Sequence, residues 1–342
     1  MTVSIVTPTL NSMRTLDAYF NAIMSQNYPH AKIEIIIADG GSTDGTREKI
    51  VEFQRTCDIS IKLYENPLKT AEAGKAVGVR NANNDIVCLL DSDNILPDAT
   101  WLERMLEPFS EQNIIATEPI AYTWRKEDHA INRYCALIGM NDPICLFTGN
   151  YDRYCSITNK WTEVKHEEKD RGNYLSVKFF PDMIPTIGAN GFCIRKETLL
   201  ANFTGDYLFD IDILWQLLQK NPECRIAKVK IGIVHLYCAD ITTFYRKQNR
   251  RICDFLFFRN AKERTYPWTR VNKIKIVWYI FCCITVLPLM IQAAIGFIRK
   301  QDGIAWLFHI PICLITLWVY GIRTLQSLIA PPPPPNRKGW HN

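Results

Sequence analysis

Asp91-Ser92-Asp93 follows the apolar run Ile86-Val87-Cys88-Leu89-Leu90, and carboxylates two residues apart at a strand end point to the same side. Two like charges held that close repel. A divalent cation removes the penalty, and hard oxygen ligands suit Mg²⁺ or Mn²⁺, ions that neutralise the phosphates of a bound nucleotide. The competing reading is a solvated strand-to-loop junction ahead of Pro97.

A second polar cluster, Asp39-Gly40-Gly41-Ser42-Thr43-Asp44-Gly45-Thr46, also follows an apolar run and opens a helix. Its glycines permit close backbone approach, and Asp39 supplies a fixed acceptor at the strand end. A phosphate-binding P-loop is excluded: Gly74-Lys75 lacks the first glycine of that motif and is followed by Ala76 instead of Ser or Thr. A third cluster, Thr7-Pro8-Thr9-Leu10-Asn11, completes the set.

The elements that must position these clusters alternate over the first ninety residues. Apolar runs at Val3 to Thr7, Ile33 to Ala38, Ile59 to Tyr64 and Ile86 to Leu90 predict strands. Helical patterns lie between them near Thr15 to Ser25, Thr43 to Arg55 and Ala71 to Asn81. Such alternation predicts an α/β fold, a mostly parallel sheet with helices on both faces, with ligands outside the carboxyl ends of the strands. All three polar clusters fall at those ends. From Tyr122 to Phe180 the pattern is irregular, suiting a variable substrate region or core aromatics. Trp124, Arg133-Tyr134, Asn141-Asp142-Pro143 and Tyr151-Asp152-Arg153 lie there as candidate acceptor contacts. Regularity returns with a glycine-bounded strand at Gly188 to Ile194, a helix from Asp210 to Lys220 and a strand from Arg225 to Tyr237.

As an ordered set, Thr7 to Asn11, the Asp39 to Thr46 turn, Gly74-Lys75-Ala76 and Asp91-Ser92-Asp93 resemble a membrane-anchored family 2 glycosyltransferase. The resemblance spans residues 3 to about 251. It implies a GT-A (Rossmann-like) fold and a nucleotide-sugar donor lying on Thr7, Pro8 and Thr9. Asp39 would face the base, Asp91 the ribose, and Asp93 the Mn²⁺ or Mg²⁺ ion. Lys75 is then a nucleotide contact or a solvated helix residue. His235, closing an apolar strand, is a second metal ligand or a structural histidine.

Inverting transfer needs a carboxylate to take the acceptor's proton. Asp210 matches the family's aspartate, although Phe209 stands where a glutamate is usual; Asp212 is the alternative, and either carboxylate equally suits a helix N-terminus. Gly188, Asn190 and Gly191 resemble the acceptor-side strand. Gln248-Asn249-Arg250-Arg251 partly matches the signature of processive members, with Ile252 in place of tryptophan, which leaves Arg250 or Arg251 to neutralise the leaving diphosphate.

The net charge of +5 over 342 residues is unevenly placed, since Arg246 to Lys275 alone carries +8. The uncharged run Ile276 to Ile298 follows at once and is long enough to span a bilayer, so the basic stretch is assigned to anionic lipid and not to nucleic acid. A second apolar run, Ile304 to Ile322, makes a transmembrane hairpin, with Pro288 and Pro311 as sites of kinking or re-entry. The basic excess, with Arg337 and Lys338 beyond the second run, places the catalytic domain on the cytoplasmic side of the cell membrane. Met1 to Thr9 already reads as a strand, which argues against a cleaved signal peptide. Twelve cysteines without a Cys-x-x-Cys pair argue against a zinc site or a disulfide framework.

The expected organisation is a catalytic domain over residues 1–245, a basic juxtamembrane helix over 246–275, a two-helix hairpin over 276–325 and a Pro-rich cytoplasmic tail over 326–342. The expected activity is inverting, metal-dependent transfer of a single sugar from a nucleotide sugar to a lipid-linked or envelope-glycan acceptor. Alternatives are a polyprenyl-phosphate glycosyltransferase resembling dolichyl-phosphate mannose synthase, a nucleotidyltransferase, and a catalytically silent membrane scaffold.

Overall fold

A computed structural model describes residues 1–267 and 272–335, in two compact units. Among the described residues, the first comprises Met1–Ile120 and Lys165–His235; the second comprises Ala121–Val164 and residues 236–335. Arg337, Lys338 and part of the basic stretch, residues 268–271, lie outside the described residues.

The first unit is built on one sheet. Its strands are β1 (Val3–Thr9), β2 (Ile33–Asp39), β3 (Ser60–Glu65), β4 (Ile86–Leu89), β5 (Asn94–Ile95), β6 (Ile114–Tyr122), β7 (His166–Asp170), β8 (Tyr174–Phe179), β9 (Phe192–Arg195) and β10 (Arg225–His235). The order is β3-β2-β1-β4-β9-β6-β10-β8-β7, with β5 paired to β10 off this path. β1, β2 and β4 are buried along their whole length, as strands covered on both faces must be, so they read as continuous Val/Ile/Leu runs. The parallel order holds from β3 to β4; β9, β8 and β7 then continue the sheet antiparallel. β7 and β8 fall in the stretch with no legible periodicity, and β6, just before it, is not among the expected strands.

Register explains what reaches one rim. Thr9 pairs with Asp39 across β1 and β2. Val6 pairs with Leu89, so Asp91 emerges at the same end. Leu89 pairs with Phe192 antiparallel, which brings the loop preceding β9 alongside, and His235 pairs with Asn94.

The helix Ala71–Asn81 packs unusually close to β1: a Cβ at Gly78 would lie 2.3 Å from Val6 Cγ1, and one at Gly74 2.7 Å from Pro8 Cβ. The helix Asp210–Lys220 has its expected bounds, and its Ile211, Ile213, Leu214, Leu217 and Leu218 are buried.

The second unit is helical: Ala130–Ile138, Ile144–Thr148, Ile241–Asn260, Lys273–Thr285, Leu287–Arg299, Gly303–Trp306 and His309–Ile329. Its core includes Tyr134, Phe147, Tyr279, Trp306 and Ile312. The basic helix, expected either in a membrane interface or packed on its own domain, buries Phe244, Ile252, Leu256 and Phe258, with Ile252 and Leu256 packed on Val319. The first apolar run is divided at Val286, whose φ is +60°, and its two halves meet at 91°. Pro288, at the start of the second half, cannot continue the first. Gly303–Ile329 is long and apolar enough to cross a membrane. Ile274, Val277, Ile284, Leu287, Ile298 and Trp318 all lie more than half exposed.

The candidate acceptor contacts in this unit are tied up internally. Trp124 Nε1 and Arg133 Nε both donate to Asp302, at 2.9 and 2.6 Å. Tyr320 donates to Asp142 at 2.6 Å, and Arg153, fully buried, pairs with Asp152 at 2.8 Å. Their charges close the unit's own packing, which is the core alternative the sequence left open.

Candidate active site

At the ends of β1 and β2 the polar residues bind one another. Asp39 is 1% exposed. Its Oδ1 accepts from the backbone N–H groups of Gly41 and Ser42 at 3.0 and 2.9 Å, and its Oδ2 from the Thr9 and Ser42 hydroxyls at 2.8 and 2.6 Å. Arg47 adds a long contact at 3.5 Å. Asn11, in a left-handed conformation at φ +51°, accepts from Thr43 N. The Thr7 hydroxyl donates to Leu90 O at 2.8 Å, and its side chain is buried below the rim. Pro8 sits beneath Gly74. Thr7 and Pro8 therefore position the nucleotide end of the sheet and do not present side chains to a ligand. Asp39, assigned to the base, has both oxygens engaged by its own loop.

The second group is built differently. Asp91 N donates to Asn94 Oδ1 at 3.1 Å and Asn94 N to Asp91 O at 2.9 Å, a tight turn that holds Asp93 between them. Asp91 Oδ1 is buried and accepts no hydrogen bond. Asp93 Oδ1 lies 3.5 Å from His235 Nε2. Asn94 Nδ2 donates to Asn190 Oδ1 at 3.1 Å, which links this turn to the loop before β9. That loop has φ values of +126° at Gly188, +55° at Asn190 and +88° at Gly191, and a Cβ on Gly188 would lie 2.4 Å from Asp210 Cβ.

Asp210 opens its helix with Oδ2 accepting from Lys75 Nζ at 2.8 Å, while its Oδ1 is buried without a partner. Burial raises the Asp210 pKa to about 6, with Asp91 and Glu72 adding to the rise and Lys75 opposing it. Burial works against the Lys75 ammonium too, but the carboxylates of Asp210 and Asp91 outweigh it and its pKa is raised. Lys75, expected to be a nucleotide contact or a solvated residue, is the partner of the candidate base. Asp212 is buried on the packed side of the same helix.

The structure thus brings Asp91, Asp93, His235, Asn190, Gly188, Asp210 and Lys75 together, with Asp39 and Thr9 beside them. Arg250 and Arg251 belong to the second unit, where Arg251 donates to Asn141 O at 3.1 Å. Two carboxylates and an imidazole, one carboxylate oxygen buried and unpartnered, are a hard donor set that fits Mn²⁺ or Mg²⁺. Among the described residues no three His, Cys, Asp or Glu side chains form a closed cage. That suits an ion held by one or two carboxylates together with substrate phosphates.

Residues 4–164 match the sequence model of Glycosyl transferase family 2. These residues belong to that family. The glycosyltransferase AglE of Haloferax volcanii is 29% identical over 139 residues, 40% of this chain and 45% of that protein. The Escherichia coli UDP-Glc:alpha-D-GlcNAc-diphosphoundecaprenol beta-1,3-glucosyltransferase WfgD is 33% identical over 106 residues, 31% of this chain and 38% of that protein. The chain therefore matches less than half the length of these curated relatives. A mannosyltransferase from Pyrobaculum calidifontis, solved with GDP-Man and Mn²⁺, superposes with a TM-score of 0.55 at 14% identity, covering 95% of this chain and 87% of that one. The chain has the GT-A fold.

Asn94, Glu118 and Lys228 escape the sequence reading of the glycosyltransferase site. Asn94 follows Asp93 directly and has the residue type that caps turns. Glu118 and Lys228 are charges set inside apolar strands, a signal that two buried groups must find each other.

Proposed function

We propose that the chain transfers a single sugar, with inversion, from a nucleotide-sugar donor to a lipid-linked or glycan acceptor at the membrane surface. The observation that carries this reading is Asp210, enclosed, held through one oxygen by Lys75 and open at the other. The acceptor hydroxyl oxygen attacks the anomeric carbon while its proton passes to the free Asp210 oxygen. The bond from the anomeric carbon to the diphosphate oxygen breaks, and a nucleoside diphosphate leaves. A single displacement from the opposite face inverts the centre. Asp93 and His235, with Asp91 beside them, would hold a divalent ion, and that ion supplies charge neutralisation for the leaving diphosphate. Manganese in the Pyrobaculum mannosyltransferase supports this choice.

The lipid-linked acceptor is supported by the name of the Escherichia coli relative, whose acceptor is a sugar on diphosphoundecaprenol, and by the exposed apolar helices of the second unit. Membrane lipids are the partner of those helices. The catalytic unit faces the cytoplasm at the cell membrane, and two crossings require the bent pair Lys273–Thr285 and Leu287–Arg299 to act as one span.

The test offers the purified full chain a panel of nucleotide sugars with Mn²⁺ and membrane lipid extract, following release of nucleoside diphosphate. Turnover that depends on added metal and on the lipid fraction is expected. Full activity in Asp93→Ala, or in chelator, would sink the metal assignment; loss of transfer in Asp212→Asn with Asp210→Asn active would move the base.

A further inference from the structure

Glu118 on β6 and Lys228 on β10 form an ion pair in which neither residue has any exposed surface. Nζ to Oε2 is 2.6 Å. A buried pair of this kind is weak evidence for stability, because the cost of removing two charges from water offsets their attraction, and apolar replacements of similar volume are often neutral or better. What distinguishes this pair is the other oxygen. Glu118 Oε1 accepts from the backbone N–H of Gly188 at 3.1 Å.

Gly188 is the residue that touches Asp210. At φ +126°, with no room for a Cβ beside the Asp210 Cβ, the positions of the loop and the carboxylate determine each other. The same loop is tied at Asn190 to Asn94 and at Gly191 N to Leu89 O, 2.8 Å away. Those two ties run to β5 and β4, on either side of Asp91. The Glu118 tie holds the end of the loop that faces Asp210.

We propose that Glu118, oriented by Lys228, is a positioning residue for the transfer reaction: it fixes Gly188 against Asp210 and thereby sets where the base stands relative to the acceptor hydroxyl. Lys228 aims the Glu118 carboxylate, and neither residue touches substrate. The inference rests on Asp210 being the base.

Two double variants of the full chain separate the hydrogen bond from the ion pair. Glu118→Leu/Lys228→Met removes both the charges and the acceptor for Gly188 N. Glu118→Gln/Lys228→Met removes the charges alone and keeps an acceptor. Neither leaves one member of this pair charged without the other, and thermal unfolding checks that both fold.

The Leu/Met variant should lose roughly 10- to 100-fold in kcat, the scale of a misplacement near 1 Å. Its Kd for the nucleoside diphosphate released in the assay, measured with Mn²⁺, should stay within twofold of the unmodified protein. Hydrogen exchange across residues 186–192 should quicken. The Gln/Met variant should recover most of the kcat and the slow exchange. Equal kcat in the two variants, with Asp210→Asn inactive, overturns the positioning role while leaving the base in place. Turnover retained in Asp210→Asn overturns both, and marks the base assignment as the point of failure.

Discussion

The two carboxylate groups at the rim of the sheet are solved in opposite ways. Around Asp39 both carboxylate oxygens are met from nearby, through two backbone N–H groups and a hydroxyl of its own loop and the Thr9 hydroxyl of β1. Around Asp91 and Asp210 the fold encloses charge and leaves one oxygen of each without a hydrogen-bond partner, with Lys75 against Asp210 and His235 3.5 Å from the neighbouring Asp93. A polar group buried without a partner costs about 1–3 kcal/mol, so the second arrangement is a standing deficit that a bound ion and a proton in transit can relieve. The first is architecture. The second is where chemistry can happen.

The sharpest way to break this comparison is Asp210→Asn. General-base catalysis contributes about 10²–10⁴-fold, so single-turnover transfer should fall by that order with nucleotide affinity unchanged. Next in size is Asp39→Ala, which orphans several buried donors. Thermal unfolding in detergent should report a loss of about 3 kcal/mol or more, whereas Asp91→Asn, measured without metal, should stay within about 1 kcal/mol of the unmodified protein. If the two substitutions destabilise equally, the contrast is wrong.

Adding Mn²⁺ at a hundredfold excess over its Kd should stabilise the chain by about 2.7 kcal/mol through mass action. Asp93→Ala should abolish that shift in the melting profile, and Asp39→Asn should not. The smallest effect concerns pH. With its pKa raised to about 6, Asp210 is ionised, and able to act as base, above that value, so the acid limb of the kcat profile should lie near 6. Lys75 favours the ionised form, so Lys75→Met should move the limb to higher pH. For folding the sign is opposite: a raised carboxyl favours the fold while protonated, and its contribution disappears as pH rises through about 6.

Legibility in the sequence followed the range of the interactions. The parallel strands β1, β2 and β4 are buried on both faces and announce themselves as unbroken apolar runs, and the helices Ala71–Asn81 and Asp210–Lys220 begin and end where their residues indicate. β6 was invisible because its partners, β9 and β10, lie far along the chain and its Thr117 and Glu118 are buried only in the folded sheet, whereas β8, although it forms a hairpin with β7, mixes Ser and Lys into its apolar residues. The types of Asp39, Asp91 and Asp210 were legible, but not their satisfaction: whether a carboxylate meets donors depends on loops that register brings together. Lys75 shows the same limit, since its partner stands 135 residues away. The division at Val286 was hidden by the uniform hydropathy of the run, although Pro288 marked the place.

The two glycines that let the helix Ala71–Asn81 lie against β1 constrain how this sequence can drift. Alanine is the residue a helix prefers to glycine, by about 1 kcal/mol, and at most helical positions that exchange would be a simple improvement. At Gly74 the added methyl group must displace Pro8 or push the helix outward, and the next residue along is the lysine that holds the base. One methyl group therefore trades a firmer helix for a displaced Lys75 beside Asp210.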